Sequence, residues 1–467
     1  MEILSGRLFW SPEAGRCNAA GAGECRSIVA LSLCSRHATS NESRGEYQVR
    51  HYIREAFSHC FGPLGADSML RFCFALNEEL YVDGSGPVVL VTAAPHKTED
   101  RMNAAVLLGA YLLLKHTFSL QQVWELLGSA DAEATFACSW SAEVTCHQLR
   151  VMSVADCWHG ISVAKRFGWI TPAMIEDRAC VDAVCCGIAH IGTVYDMSWL
   201  VPGMIMAGAD PVTTLHDSNP ATFCRMFPAV DDVHRKSISA LTATFSDSGN
   251  IPTVGTSTFS DKESLSDDED ALMSVNSVNT VCKEFDSKTW TGPPMTALDN
   301  RTDFVTFMQE SGIGLIVRAN FDRELGMPPR GYSSSAMELW GFTHVNLRMQ
   351  DTRPQGGVPK PQDVERLLKV SEDFMEQKGG GILFHCKGGF GRSILLASCL
   401  VVDVFNVPGS ALLGWFRIMR PGVINSRSQE LFLKSLEGSA ALRAYAGLAP
   451  ASKRFAGHSN CLCCTVM

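Results

Sequence analysis

Ile382-Leu383-Phe384-His385-Cys386-Lys387-Gly388-Gly389-Phe390-Gly391-Arg392-Ser393, followed by the apolar run Ile394 to Phe405, decides the reading of this chain. The pattern predicts a buried strand feeding a tight loop that opens directly into a helix. Five residues separate Cys386 from Arg392, and three of them are Gly. Glycines let successive backbone N–H groups turn inward around an anion without Cβ clashes, so Lys387, Gly388, Gly389, Phe390, Gly391 and Arg392 are the expected phosphate-binding positions. The helix that follows adds free N–H groups and a positive dipole end, which favour a bound dianion and also negative charge on the Cys386 sulfur. Arg392 closes the loop with a planar fork matched to two phosphate oxygens, a geometry Lys cannot reproduce. The bland alternative, a structural Cys before a surface Arg, does not account for His-Cys-five-Arg-Ser/Thr set between an apolar strand and a helix.

A Cys nucleophile attacking a phosphoester needs an acid to protonate the departing alkoxide. Asp351, 35 residues before Cys386 at a strand end and in a loop flanked by Pro354 and Gly356-Gly357, is the expected acid. Asp363 and Asp373 compete for the role but fall in a predicted helix, where a solvated face is the ordinary reading. His385 is expected to hold the loop from behind, a reading compatible with a satisfied core histidine. Ser393 can donate to the sulfur as it leaves a phosphocysteine intermediate, and Gln429, after Arg420-Pro421-Gly422, could orient the hydrolytic water. The two-step reaction so read passes phosphate to Cys386 and then to water, and calls for no metal or cofactor.

The 467 residues suggest two to three domains, and 46% apolar with 19% charged residues suits a mostly globular chain. The net charge of -9 argues against nucleic acid. It is unevenly spread, since Asp261 to Asp270 holds six acids and one Lys, a net of -5. Eighteen Cys without paired spacings read as reduced intracellular thiols, and the adjacent pairs Cys185-Cys186 and Cys463-Cys464 are poor zinc spacing. The longest apolar runs, Ala104 to Leu114 and Ile394 to Val402, fall short of the roughly 20 residues of a membrane span.

Along the chain, Leu4 to Trp10 is expected as a first strand, Glu13 to Gly45 as a loose insertion, and Tyr47 to Leu76 as helical, with a turn at Phe61-Gly62-Pro63-Leu64 starting a helix at Gly65 or Ala66. Gly86 to Val91, Thr92 to Asp100 and Met102 to Lys115 read as strand, polar loop and helix, with Gly109 allowing close packing. Periodicity alone cannot separate a degenerate copy of the opening stretch from an ordinary βα unit. Helices are expected at Leu120 to Leu127, Met152 to Phe167 and Pro172 to Val184, the last capped by Thr171. Trp199 to Gly208 reads as a strand entered through a Pro-Gly turn, near the start of the second domain. Asp217 to Trp290 is too polar to offset chain entropy and is expected to be disordered; within it Ser264 and Ser266 are candidate acidic-directed phosphorylation sites. A helix at Arg301 to Gln309, strands at Gly314 to Arg318 and Trp340 to Leu347, and helices at Gln362 to Gln377 and Ser410 to Met419, the last expected, complete a β-α alternation that predicts a mostly parallel sheet.

The chain resembles the cell division cycle fourteen family of dual-specificity protein phosphatases. The resemblance rests on the cradle together with Phe61 to Leu64, Asn103-Ala104-Ala105 with Gly109-Ala110-Tyr111, Asp156-Cys157 with Gly160-Ile161, Trp199 to Gly203, Gly341-Phe342 with His344 and Leu347, and Arg420-Pro421-Gly422, in the family's order. It implies an α/β fold with two tandem cysteine-phosphatase-like domains, each a central sheet flanked by helices, and a disordered acidic insertion. The expected division is 1–190, an N-terminal domain without catalytic residues, 191–447, the catalytic domain with its insertion at 217–290, and 448–467, a tail. The implied activity is hydrolysis of phosphoserine, and less of phosphothreonine and phosphotyrosine, preferring phosphoserine followed by proline with a nearby basic residue. The resemblance places an acidic groove between the domains, with Glu143, Glu176 and Asp177 as alternatives for its positions. Ser393 stands where Thr is commoner in the family.

The C-terminal Cys464-Thr465-Val466-Met467 reads as a C-a-a-X box whose Met favours farnesyl on Cys464, with Cys461 and Cys463 as candidate palmitoylation sites. One prenyl chain anchors weakly, so the flanking cysteines would supply the second signal. The expected partners are phosphoprotein substrates and a membrane surface, with no nucleic acid, and the expected location is intracellular, at the cytoplasmic face of membranes if the tail is prenylated and otherwise in cytoplasm or nucleus. Two alternatives remain: a prenylated phosphoinositide phosphatase, against which Phe390 stands where a second Lys would be wanted, and a phosphoprotein-binding pseudophosphatase, against which Cys386, Arg392 and Asp351 are all present.

Overall fold

A computed structural model describes residues 1–11, 26–35, 62–81, 86–92, 98–136, 152–211, 304–324, 327, 332–351, 357–424 and 426–450. The expected insertion at 217–290, Glu143, the helical reading of 47–61 and the tail cysteines Cys461, Cys463 and Cys464 lie outside the described residues.

The first half is built around a four-stranded sheet. Strands β1 (Glu2–Leu4) and β2 (Leu8–Ser11) pair antiparallel, and β3 (Arg26–Val29) precedes helices α1 (Ser32–Ser35) and α2 (Ala66–Leu80). Strand β4 (Val88–Val91) lies between β2 and β3 and runs parallel to both. It is followed by α3 (Thr98–Lys115), α4 (Leu120–Leu127), α5 (Ser129–Ala132), α6 (Val154–Arg166), a 3-10 turn at Pro172–Ile175 and α7 (Arg178–Tyr195). Helix α2 begins at Ala66, where the Gly-Pro turn predicted it. Helix α4 matches its expected span because Ser119 and Gln122 close a reciprocal cap at its start.

Three expectations in this half are corrected. The single strand Leu4 to Trp10 is a hairpin, turned at Gly6 with Arg7 N–H donating to the Leu4 carbonyl at 3.0 Å. The supposed loose insertion contributes β3, whose Arg26 pairs with Glu79 at 2.7 Å; four residues with one buried apolar side chain gave too weak a signal. The helix Pro172 to Val184 is broken in two, because the Asp177 carboxylate accepts the Cys180 N–H at 2.8 Å and caps a new helix, whereas Thr171 makes no side-chain cap.

The second half holds a five-stranded sheet in the order β5-β6-β9-β7-β8. Strands β5 (Met197–Val201) and β6 (Ile205–Ala209) form an antiparallel hairpin, so Pro202-Gly203 joins two strands where one was expected. There follow α8 (Phe304–Glu310), β7 (Ile313–Arg318), α9 (Ser334–Leu339), β8 (Thr343–Asn346), α10 (Pro361–Gln377), β9 (Gly381–Cys386), α11 (Arg392–Phe405), α12 (Gly409–Met419), α13 (Arg427–Ser435) and α14 (Ser439–Tyr445). Apart from the hairpin the strands run parallel, and β9 is central and buried throughout. Helix α10 buries Val364, Leu367, Leu368, Ser371 and Phe374, the stripe its periodicity predicts. Trp340 terminates α9 rather than opening a strand, and α12 is not the last helix. Helices α13 and α14 escaped notice because they are short, and α14 is held by an ion pair between Arg443 and Asp403 at 2.7 Å.

The two halves share an interior within one compact unit comprising Met1–Pro228 and Thr291–Met467. Helix α6 crosses α12 with glycine on both sides. A Cβ on Gly160 would fall 2.5 Å from the Ala411 carbonyl oxygen, and one on Gly414 would fall 2.3 Å from that of Asp156. Trp415, on α12, donates its indole N–H to the Leu200 carbonyl at 2.8 Å. The boundary expected at residue 190 falls inside α7.

Candidate active site

Strand β9 delivers Cys386 to the carboxyl edge of the sheet, where open parallel sheets place ligand sites. The loop to Arg392 is held by its carbonyls. Those of Lys387, Gly389 and Phe390 accept from the Asp210 N–H at 3.2 Å, Arg420 Nε at 2.9 Å and the Ile424 N–H at 2.6 Å. Arg420 also reaches the Gly388 carbonyl at 3.5 Å and lies 4.5 Å from the centre of the Phe390 ring. In a trans peptide the C=O and the next N–H point oppositely. Anchoring the carbonyls outside therefore turns the following amides toward the sulfur. The Gly389 N–H already donates to Cys386 Sγ at 3.2 Å, and Ser393 Oγ lies 3.3 Å from the same atom. Gly389 has φ of +70°, and a Cβ there would sit 2.3 Å from the Gly208 carbonyl carbon, so this position requires glycine.

Arg392 is 3% exposed and grips Glu324 with both terminal nitrogens, at 2.6 and 2.8 Å. It also donates to the Met349 carbonyl at 3.0 Å and lies 3.5 Å from Asp351 Oδ2. Burial opposes the guanidinium charge, but the Glu324 hydrogen bonds and nearby acidic groups outweigh it and raise its pKa. Burial likewise works against the Glu324 carboxylate, yet Arg392 and the Phe321 N–H hold its pKa below the ordinary value. Asp351 is thus brought to the cradle with its side chain 29% exposed. Residues 352–356, the rest of its loop, lie outside the described residues. The rivals are placed elsewhere: Asp363 accepts the Lys360 N–H at the start of α10, and Asp373 is exposed. Glu324 was missed by the sequence reading, since it stands in an irregular segment 68 residues before Arg392.

Behind the cradle lies a buried polar cluster. His385 Nε2 is hydrogen-bonded to the Tyr332 hydroxyl, and its Nδ1 is 3.8 Å from Asp210 Oδ2. Asn320 donates to that Asp210 oxygen at 2.9 Å, and Arg318, packed over the Tyr332 ring, donates to the Tyr332 carbonyl at 3.2 Å. Burial first, and then the charges of Arg318, His344 and Arg392, push His385 well below the ordinary histidine value, so its ring is neutral. A neutral ring adjoins Cys386 without adding charge.

Gln429, on α13, lies against the loop: a Cβ on Gly391 would be 2.7 Å from its Oε1, and its Nε2 donates to the Gly357 carbonyl at 3.2 Å. Of the groove alternatives, Asp177 is engaged as the cap of α7 and Glu176 closes the 3-10 turn. No group of three His, Cys, Asp or Glu side chains among the described residues is arranged to hold a metal ion. No helix among them is long and apolar enough to cross a membrane.

The cradle lies at the end of the central parallel strand β9, and the chain is similar in sequence to dual-specificity phosphatases. The family model of the dual specificity protein phosphatase N-terminal half matches residues 32–164. Tyrosine-protein phosphatase cdc-14 of Caenorhabditis elegans is 22% identical over 391 residues, covering 82% of this chain and 41% of that protein. Dual specificity protein phosphatase CDC14A of Mus musculus is 23% identical over 391 residues, covering 83% and 48%. Among solved structures, a mouse putative dual specificity phosphatase complexed with zinc tungstate matches with a TM-score of 0.23 and 16% identity, over 32% of this chain and 82% of that one. The chain is similar to these CDC14 proteins over about four-fifths of its own length, and it spans less than half the length of these curated relatives.

Proposed function

We propose that the chain is a dual-specificity protein phosphatase that hydrolyses phosphoserine, phosphothreonine and phosphotyrosine through a phosphocysteine intermediate. The carrying observation is Cys386 Sγ receiving the Gly389 N–H at 3.2 Å within a loop whose carbonyls are tied outward. In the first step the sulfur attacks phosphorus while the loop amides and Arg392 bind the equatorial oxygens, and Asp351 gives its proton to the departing alkoxide. In the second, water placed by Gln429 gives its proton to Asp351 and attacks phosphorus, and the Ser393 hydroxyl supports the departing sulfur. His385 holds the strand end from behind. The first sheet, on this reading, is a companion without chemistry of its own, and proline-directed phosphoserine is the preferred substrate by resemblance to the family, as is a place in the cell cycle.

The test is turnover of a phosphoserine-proline peptide, its phosphotyrosine analogue and a phosphoinositide, with acid quenching to trap phosphocysteine. Cleavage of both peptides with a trapped intermediate is expected; preference for the lipid would replace the substrate class, and absence of any turnover would leave a binding protein.

The tail reading stands beside this one: we propose that Cys464 is farnesylated, with Cys461 and Cys463 as sites of a second acyl signal, giving a lipid-dependent location at the cytoplasmic face of membranes. A farnesyl analogue fed to expressing cells is expected to label the chain and to be lost in Cys464→Ser; equal labelling of both proteins would refute it.

A further inference from the structure

Resting on the phosphatase reading, we propose that Glu430 is a positioning residue through which the first half of the chain fixes Gln429 against the cradle, so that the first half acts on the hydrolytic step. Glu430 follows Gln429 in the first turn of α13, and its side chain is 2% exposed. A buried carboxylate is costly unless paired and hydrogen-bonded, and its partners here come from both halves. Its Oε1 accepts the Met152 N–H at 2.9 Å, a bond between residues 278 apart in sequence. The Met152 peptide is itself pinned, since its carbonyl accepts the Phe136 N–H at 3.1 Å.

The other carboxylate oxygen, Oε2, accepts from Arg417 Nη2 at 3.3 Å. Arg417, also 2% exposed, donates to the carbonyls of Val423 at 3.0 Å and Ile424 at 2.8 Å, and Ile424 N–H in turn holds the Phe390 carbonyl of the loop. Lys434 closes the arrangement, bridging Asp156 of α6 at 3.3 Å and Glu430 at 3.8 Å. The turn that carries Gln429 is therefore fastened to the first half on one side and to the cradle on the other. Gln429 Oε1 is buried, lies against Gly391 and has no hydrogen-bond partner among the described residues. An acceptor so placed beside the cradle has a free position for a water hydrogen, and its use depends on where the turn holds it.

The test is Glu430→Gln, which keeps shape and an acceptor for the Met152 N–H but removes the charge that holds Arg417. With an aryl phosphate, kcat/KM reports transfer to Cys386, and kcat reports hydrolysis of the intermediate when that step limits. E430Q is expected to lower kcat by about tenfold, to leave kcat/KM within about twofold, and to raise the trapped phosphocysteine fraction. In a Gln429→Ala background the same substitution is expected to cost no further kcat, because Glu430 acts only through Gln429. Parallel falls in kcat and kcat/KM, additive losses in the double variant, or unchanged kcat would each overturn the proposal. Should E430Q not fold, Glu430→Asp, which keeps the charge but cannot reach the Met152 N–H, carries the same expectation. An inactive wild-type chain would sink the phosphatase reading itself, whereas an active one indifferent to these substitutions would sink only the role of Glu430.

Discussion

Cys386→Ser is expected to abolish turnover, lowering kcat by at least about 10⁴-fold, while leaving phosphopeptide binding in place. The reason lies in which parts of the site belong to the sulfur and which to the loop. Carbonyls of Lys387, Gly388, Gly389 and Phe390 are anchored by Asp210, Arg420 and Ile424, none of which touches the sulfur in its anchoring bond. Arg392 is likewise held by Glu324. A hydroxyl in place of the thiol would leave that frame standing, with the Gly389 N–H still facing the new oxygen. What disappears is the nucleophile: an alkoxide is far harder to form than a thiolate, and the neighbouring His385 imidazole is hydrogen-bonded to Tyr332. Binding is read by calorimetry with a phosphoserine peptide, and turnover by phosphate release. Residual activity within tenfold of wild type would refute a phosphocysteine route.

Asp351→Asn is expected to lower kcat/KM for a phosphoserine peptide by about 10²- to 10³-fold and to spare an aryl phosphate with a stabilised leaving group to within about tenfold. Asparagine matches aspartate in shape and can keep a contact with Arg392, now 3.5 Å from Oδ2, but it has no proton to give. A serine alkoxide cannot leave without one, whereas a delocalised phenolate can, so the penalty follows the leaving group. Equal losses on both substrates would instead assign Asp351 to holding Arg392.

The residues that chemistry needs close together in sequence were legible, because the cradle is local: Cys386, Gly389, Arg392 and Ser393 lie within one strand-loop-helix junction, and Asp351 follows the next strand but one. What supports them was not. Asp210 and Arg318 reach His385 because β6 and β7 flank β9 in register, Ala209 opposite Cys386 and Arg318 opposite His385. A charged residue at the end of an otherwise apolar strand, as Arg318 is after Leu315 to Val317, was the available signal. Glu324 and Glu430 gave none, one lying in irregular chain and the other in a short, mostly polar helix. The hairpins at Gly6 and Pro202-Gly203 were read as single strands for a related reason: a Pro-Gly turn was legible, but that its two flanks pair with each other is a contact between strands, which no local pattern records.

The glycine crossing of α6 and α12 bears on inheritance. Where two backbones approach so nearly that Gly160 and Gly414 have no room for a methyl group, the packing surface is main chain, and almost any substitution at either point separates the helices. On the proposed reading the first half carries no chemistry, and such a half would ordinarily drift or be lost. Here its departure would take from Trp415 the Trp169 ring, 6.3 Å away, and the Gly160 backbone of α6, and strip Glu430 of the Met152 amide. The sheet that carries the cradle is therefore not a portable cassette: descent has to carry both halves together, and constraint on the second is felt in the first.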